Sequence, residues 1–143
     1  MDMNQLISLL HSGNHSLVVG TADGNTLTFD GRGVSDLLRL LDTEPQTLRG
    51  AALADKVVGK AAAALMIVGR ISEVHADMIS EQALQLFNVN APETAVGYDK
   101  LVPHIINRQQ TGWCPMELAC RDCRTAEECV MKIKEKLSEL RKS

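Results

Sequence analysis

The segment VVGKAAAALMIVG at residues 57–69 constrains the fold more than any other part of the chain. Its apolar residues lie nearly all round a helical wheel, so a helix formed by this segment has no face suited to water. Its run of alanines allows a neighbouring sheet to approach closely. The segment therefore predicts a deeply packed helix inside an α/β domain.

The flanking patterns predict that helices and strands alternate along the chain. The residues Ala-Asp-Gly-Asn join two alternating runs and are typical of a hairpin turn. Thr125 and Glu128 form a capping box that opens the last helix. We expect helices over 3–11, 34–41 and 57–69, from Ser80 onward and from Thr125 onward, and strands over 15–20, 26–30, 48–54, 72–79 and 101–106.

The length of the chain and the lack of repeats and long linkers predict a single domain over residues 1–143. A chain of 143 residues buries about two thirds of its unfolded surface on folding. No repeat and no long linker divides it. Within this domain, a cysteine-rich segment and the C-terminal helix occupy residues 113–143.

Composition excludes two classes of partner. Aromatic residues make up 3% of the chain, which leaves few rings on which bases can stack, so we expect no nucleic-acid partner. No segment approaches the roughly 20 apolar residues that cross a membrane. The N-terminal MDMNQLISLL lacks the basic start of a signal peptide. We therefore expect a cytoplasmic protein without a membrane partner.

The cysteines of the chain all fall within residues 114–129, as Cys114, Cys120, Cys123 and Cys129. Thiolates clustered in this way suit a zinc ion or an iron–sulfur cluster, and the two-residue gap between Cys120 and Cys123 lets one turn present both sulfurs. The outer gaps, of five residues each, match no standard metal motif. A metal site, a redox-active pair and a structural role in packing therefore stay open.

Cys114 could also act at the start of a helix, apart from any role in binding a metal. Pro115 at the first helical position would place Cys114 beside a helix N-terminus, where the helix dipole lowers a thiol pKa. No histidine lies close by in the sequence to act as its base. A nucleophile and a structural cap are the two interpretations of Cys114.

Charged residues between the strand predicted over 48–54 and the buried helix form a second candidate site. In open α/β sheets, ligands bind beyond the carboxyl ends of the strands, which is where Asp55, Lys56 and Lys60 stand. Gly59 and Lys60 lack the remaining residues of a phosphate-binding loop. The lysines therefore either bind a ligand or only neutralise Asp55.

Two polar loops offer further contacts for an anion. Arg32 and Gly33 precede the second helix, whereas Asn107, Arg108 and Gly112 follow the last predicted strand. An arginine can hold a carboxylate or phosphate through two hydrogen bonds, and a glycine lets the backbone approach a ligand closely. A plain surface turn is the alternative for both loops.

The tripeptide His-Ala-Asp at 75–77, together with Cys-x-x-Cys at 120–123, imitates the zinc-deaminase signature. That signature requires its first ligand at a helix N-terminus, whereas residues 75–77 lie in the strand predicted over 72–79. Asp77 stands where the signature has Glu, and Ala119 where it has Pro. We expect no deaminase zinc site of this kind.

The chain resembles a small family of uncharacterised bacterial proteins that have the cytidine deaminase-like fold. The resemblance rests on FDGRGVSDLL at 29–38, ADKVVGKAAAALM at 54–66, VHADMISEQAL at 74–84 and LVPHIINRQQTGWCPME at 101–117. It implies a three-layer α/β fold. An N-terminal hairpin and three further strands would form one mixed five-stranded sheet with helices on both faces.

The resemblance also implies where a site lies. In active deaminases of the superfamily, a zinc ligand and a catalytic Glu open the helix after the third strand, and a cysteine pair opens the helix after the fourth. The corresponding positions, 54–57 and 79–82, contain no His or Cys, so the fold is implied without the classical zinc. The implied pocket is lined by Asp55, Lys56, Lys60, Ser80 and Glu81, and closed by Asn107, Arg108 and Cys114.

These observations predict a protein that binds a small anionic or nucleotide-like molecule without the deaminase zinc. If it is an enzyme, with hydrolase or transferase chemistry, Lys56 or Lys60 acts as base or electrostatic stabiliser, and Asp55 or Glu81 tunes that lysine. The rival hypothesis is a metal or redox module in which the cysteine segment binds zinc or an iron–sulfur cluster. Because this fold often associates through its helices, we also expect a homo-oligomer.

Overall fold

The computed structural model describes residues 2–31, 34–105 and 115–142, which form alternating helices and strands. The N-terminal part contains α1 (Met3–Ser12), β1 (Leu17–Gly20), β2 (Thr26–Phe29), α2 (Ser35–Thr43) and α3 (Pro45–Leu48). The central part contains β3 (Ala52–Val58), α4 (Lys60–Val68), β4 (Glu73–Ser80), α5 (Glu81–Asn90) and β5 (Ala95–Val102). The short helix α6 (Pro115–Ala119) and the long helix α7 (Ala126–Lys142) follow.

The strands form one five-stranded sheet in the order β2-β1-β3-β4-β5. β1 runs antiparallel to both β2 and β3, whereas β3, β4 and β5 run parallel to one another. The hairpin between β1 and β2 turns through Gly24, whose φ of 96° favours glycine. The prediction of a mixed five-stranded sheet, built from a hairpin and parallel strands, is confirmed.

Helices cover both faces of this sheet. Successive strand residues point to opposite sides, so the strands present apolar side chains on each face for a helix to cover. On one face, Leu6 and Leu10 of α1 pack against Val18 and Ala54 in a small cluster. The neighbouring strand residues, such as Leu53, face the main core on the opposite side, which α4 fills together with side chains of α2, α5 and α7. The predicted arrangement of helices on both faces is therefore confirmed.

Helix α4 is buried along nearly its whole length, as its apolar pattern predicts. Residues 60–66 are all buried, and the helix contacts α2, α5, α6 and α7 as well as β3. Gly69 ends it, and a Cβ at that position would lie 2.8 Å from Leu48. In the described part of the chain, no helix combines the length and the apolar character needed to cross a membrane.

The predicted strand over 48–54 and helix over 57–69 were wrong in their boundaries. Pro45 begins the short helix α3, which ends at Leu48, and the strand continues through Val58. Valines at 57 and 58 are stiff at χ1 and fit a strand better than a helix. Gly59 then adopts extended backbone and α4 begins at Lys60. Asp55 and Lys56 therefore lie inside β3 and not beyond its end.

The last strand was also predicted at the wrong place, over 101–106. β5 occupies Ala95–Val102 and pairs with β4 from Glu73↔Ala95 to Ser80↔Val102. It is one of the two edge strands of the sheet, and most of its side chains are exposed. Its polar composition gave no hydrophobic run, so a periodicity argument missed it.

Replacing Leu65 by Ala tests the central position of α4. Leu65 is fully buried, so Leu65→Ala should lower the free energy of unfolding by about 2–5 kcal/mol. The exposed Met131 on α7 is the control, because Met131→Ala should change it by less than about 0.5 kcal/mol. Urea unfolding followed by circular dichroism measures both values, and equal losses would contradict this packing.

Candidate functional site

A buried carboxylate, that of Glu117, joins the N-terminal ends of α4 and α5. The backbone N–H of Lys60 donates to Oε2 of Glu117 at 2.9 Å, and the hydroxyl of Ser80 donates to Oε1 at 2.8 Å. Ser80 caps α5 by accepting a hydrogen bond from the N–H of Ala83 at 3.1 Å. Helix N-termini attract anions, and here the protein's own side chain occupies the place between them.

Gly59 makes this arrangement possible because it leaves room for the carboxylate. A Cβ at position 59 would overlap Oε2 of Glu117 and contact Ile105 at 3.1 Å. The backbone of Gly59 is extended, so close approach and not a left-handed conformation requires glycine here. Any larger residue would push Glu117 away from the first N–H of α4.

Glu117 is 2% exposed, and burial raises the pKa of its carboxyl above the usual value. The hydrogen bonds from Ser80 and from the backbone of Lys60 act in the opposite direction, as does the positive charge of Lys60. Sequence reasoning missed Glu117, because it lies 37 residues from Ser80 and 57 from Lys60 along the chain. No local pattern connects residues at that separation.

Lys60 is 7% exposed and ties α4 to the connection between α6 and α7. Its Nζ donates to the carbonyl oxygen of Arg121 at 3.0 Å and to that of Cys123 at 2.5 Å. Two carbonyl acceptors spread the charge of the ammonium group but do not neutralise it. The positive charge of Lys60 is therefore held beside a groove between α5 and the connection from α6 to α7.

That groove, which we call the basic groove, has a volume of about 460 Å³ and lies between α5 and the connection from α6 to α7. This size is typical of a small-molecule site. Its cationic side chains are Lys60, Arg121 and Arg124, and among the described residues no acidic one lines it. The remaining lining residues are Gln82, Gln85, Leu86, Val89 and Cys123.

The amide of Gln82 gives the basic groove an unsatisfied acceptor. Among the described residues, its Oε1 is one of few buried side-chain oxygens that make no hydrogen bond. A buried acceptor of this kind costs free energy unless a donor reaches it. Sequence reasoning did not select Gln82, Arg121 or Arg124, since surface polar residues on a helix and a turn carry no distinctive pattern.

Three of the predicted metal-binding cysteines lie in the protein core. Cys120, Cys123 and Cys129 are buried free thiols and pack with the main apolar cluster. Burial raises the pKa of Cys123 to about 11, and a hydrogen bond with Cys120, together with burial, raises the pKa of Cys129. The thiols of Cys123 and Cys129 are therefore protonated at neutral pH, which, with the burial of Cys120, favours the structural interpretation for these cysteines. A metal or redox role for the segment stays a prediction.

The structure separates some residues that the sequence was expected to bring together. Asp55 and Lys56 stand within β3, so about 16 Å of extended strand separates Asp55 from the start of α4. Nζ of Lys56 donates to Oδ1 of Asn14 at 2.6 Å. Glu81 is exposed on the first turn of α5. Of the five expected lining residues, Lys60 and Ser80 meet at Glu117, and the grouping with Asp55 and Lys56 was wrong because β3 is longer than predicted.

Asp55 lies inside β3, where burial of its carboxyl group changes its pKa. Burial raises the pKa of its carboxyl to about 7, against hydrogen bonds from the backbone of Val57 and Lys56. The nearby charge of Asp77 adds to this increase. Asp55 therefore changes charge close to neutral pH.

Several predicted contacts lie outside the described residues. These are Arg32 and Gly33, which precede α2 in the sequence, and Asn107, Arg108, Gly112 and Cys114, which precede α6. Their proposed roles in binding an anion, and of Cys114 as a nucleophile or metal ligand, stay predictions.

Comparison with known proteins gives a family but no activity. The family model described as "Domain of unknown function (DUF1893)" matches residues 5–137. The crystal structure of a DUF1893 family protein (TM1506) from Thermotoga maritima superposes with a TM-score of 0.83 at 23% sequence identity. The match covers 95% of this chain and 92% of that one. No curated protein matches the chain significantly.

Replacing Gly59 by Ala tests the contact with Glu117. Because a Cβ would displace the carboxylate, Gly59→Ala should lower the free energy of unfolding by about 1–3 kcal/mol. Gly97→Ala is the control, since a Cβ there meets no atom closer than 4.0 Å. In a Glu117→Ala background the loss from Gly59→Ala should shrink, and strict additivity in this double-mutant cycle would contradict the contact.

The raised pKa of Asp55 predicts a dependence of stability on pH. A carboxyl with a pKa of about 7 in the folded protein and 3.8 when unfolded stabilises the fold below pH 3.8 and loses that contribution as pH rises to about 7. In Asp55→Asn this decline should be absent. Urea unfolding at intervals between pH 4 and 8 measures the difference from wild type. Asp122→Asn, at an exposed site, is the control and should leave the pH profile unchanged.

Proposed function

We propose that this chain, which belongs to the DUF1893 family, binds a small anionic, nucleotide-like molecule in the basic groove. The observation that carries the proposal is the charge of the groove. In the part of the chain that the structure describes, its lining combines Lys60, Arg121 and Arg124 with no acidic side chain, although the whole chain has a formal net charge of −3. Cations gathered in a concave site attract and retain an anion.

The two arginines suit a phosphate or carboxylate group in particular. A guanidinium offers paired N–H donors that match two oxygens of such a group. Arg121 lies 3.7 Å from the carboxylate of Asp122, but both side chains are largely exposed, so that ion pair competes weakly with a ligand. Arg124 stands at the end of the same connection and completes a cationic rim.

The other residues of the basic groove favour a ligand with a donor group and an apolar part. Gln82 presents a buried Oε1 that needs a donor, such as an amino or hydroxyl group. Leu86 and the 68% exposed Val89 form an apolar surface on the same side of α5. A nucleoside monophosphate combines an anion, hydrogen-bond donors and a flat apolar ring system, so it fits this distribution.

The sheet order and the two converging helices support a relation to the cytidine deaminase-like fold, and we propose that relation on the resemblance described above. The starts of α4 and α5 correspond to the positions where active deaminases have zinc ligands. Here Ser80 and the backbone of Lys60 bind the carboxylate of Glu117 instead. We infer a binding protein of this fold that works without the classical zinc, with its ligand beside the helix starts.

Calorimetric titration with adenosine monophosphate tests the proposal, with pyrophosphate and uncharged adenosine as further probes. The charged probes should bind, and adenosine should bind much more weakly. Arg121→Met and Arg124→Met should each raise the Kd about 10-fold, because each removes a charge-assisted hydrogen bond. Higher salt should weaken the binding of the charged probes and should have little effect on that of adenosine.

Lys56→Met is the matched control for these titrations, because Lys56 lies on β3 away from the groove and bonds to Asn14. It removes the same charge from the chain and should leave the Kd unchanged. If no charged probe binds, or if Lys56→Met weakens binding as much as the arginine variants, the basic groove is not the ligand site.

A further inference from the structure

A second group of polar side chains lies on the opposite face of the sheet, where α1 packs. His75 and Asp77 are two residues apart on β4 and therefore point to the same side. The register between β4 and β5 places Asp99 beside Asp77. His75 pairs with Gly97 across the strands, so the β5 residue directly opposite has no side chain to cover the imidazole. We call these three residues the His–Asp cluster.

The ligand atoms of the His–Asp cluster lie close together. Nε2 of His75 is 3.4 Å from Oδ1 of Asp77 and 3.7 Å from Oδ2 of Asp99. In the described part of the chain, this is the group of three metal-ligating side chains whose donor atoms all lie within 4.8 Å of one another. Donors bound to one metal ion at about 2.0–2.2 Å stand about 3.3 Å apart in tetrahedral geometry. The two distances from Nε2 of His75 are close to that spacing, and all the donor atoms lie within 4.8 Å of one another.

Two of these atoms are buried without a hydrogen bond. Nε2 of His75 and Oδ1 of Asp77 both belong to the few buried side-chain atoms in the described residues that lack a partner. The His75 side chain is 12% exposed, so water does not compensate it fully. Polar atoms left in this state cost free energy in the absence of a ligand. A cation placed between them would satisfy both.

The surroundings of the cluster also favour a cation. His11, in the last turn of α1, holds the other oxygen of Asp77 through its Nε2 at 2.7 Å. A carboxylate fixed on one oxygen by a histidine presents its other oxygen in a set direction, as outer residues do around bound metals. Asp99 is 67% exposed, which leaves an entry path from solvent.

We propose that the His–Asp cluster binds one divalent first-row transition metal ion, with His75, Asp77 and Asp99 as ligands and His11 as the residue that positions Asp77. One imidazole with two carboxylates suits Zn²⁺, Mn²⁺ or Fe²⁺ better than Mg²⁺ or Ca²⁺, which prefer oxygen ligands alone. Three protein ligands leave at least one coordination position for water or a substrate oxygen. The site is separate from the basic groove and from the cysteine segment.

Calorimetric titration of chelator-treated protein with Zn²⁺ tests the site, with Mn²⁺ followed by electron paramagnetic resonance as a second probe. Each metal should bind once per chain. Asp99→Asn changes an exposed residue and keeps the fold, and it should weaken binding at least about 10-fold. His75→Gln should weaken it more than about 100-fold, and His11→Gln about 10-fold, because His11 acts only through Asp77.

His15→Gln is the matched control. His15 also pairs with an aspartate, since its Nδ1 lies 2.7 Å from Oδ1 of Asp30, but this pair belongs to no group of three ligands among the described residues. Metal binding should be unchanged in this variant. The proposal is wrong if neither metal binds to the wild type, or if His75→Gln and Asp99→Asn leave the affinities unchanged.

The cysteines require a separate comparison, because Zn²⁺ also binds thiolates. Cys120→Ser and Cys123→Ser should leave both affinities unchanged. With Co²⁺ as a probe, the spectrum should lack the intense thiolate-to-metal absorption that cysteine ligands produce. If the serine variants abolish binding and His75→Gln does not, the metal belongs to the cysteine segment and the His–Asp cluster is an ion-pair network.

Discussion

The rest of the structure depends on the hydrogen bonds of one buried carboxylate. Glu117 accepts from the first N–H of α4 and from the hydroxyl that caps α5, so it fixes the relative position of two helices at their starts. Its own helix, α6, has five residues and is held in place through this contact and the core around it. Since a hydrogen bond to a buried charged group contributes about 1.5–3 kcal/mol, this pair of bonds is a sizeable fraction of the roughly 5–15 kcal/mol by which an ordinary domain is stable.

The buried carboxylate also determines what the helix starts can do. In many α/β proteins, the N–H groups at the start of a helix bind a phosphate from solvent. Here the carboxylate of Glu117 accepts from the first N–H of α4 and Ser80 caps α5, and Gly59 is small enough to leave room for the carboxylate. In the proposed function the ligand therefore binds farther along α5, where Lys60 reaches toward Arg121 and the basic groove opens.

The sequence predicted those elements whose patterns arise from burial. The apolar residues of α4 and the alternation in β4 follow directly from contact with the core, and both elements were recognised, although α4 was predicted to start too early. The boundary between β3 and α4 was misplaced because Val57 and Val58 fit either element by hydrophobicity. β5 lacks a buried face, so its position depends on pairing with β4 and not on its composition.

The site residues could be predicted only where their position at the start of a helix follows from the order of elements along the chain. Lys60 and Ser80 stand at helix starts and could be named from the resemblance, whereas Glu117 and Arg124 reach the same region through tertiary packing. The His-Ala-Asp tripeptide was recognised, but it was compared with a motif that requires a helix. Its third partner, Asp99, lies on β5, the strand that periodicity missed.

The central strand β4 has a consequence for how the two proposed sites relate to each other. It carries His75 and Asp77 on one face and ends at Ser80, and it is held by backbone ladders to β3 and β5 on both sides. A strand held in this way cannot slide by one residue without turning all its side chains to the opposite face. The two proposed sites therefore lie on opposite faces of a sheet whose register is fixed, and we expect occupancy of one site to leave the affinity of the other unchanged. Such a molecule would bind the anion and the metal ion independently, so the concentration of one would not change how much of the other is bound.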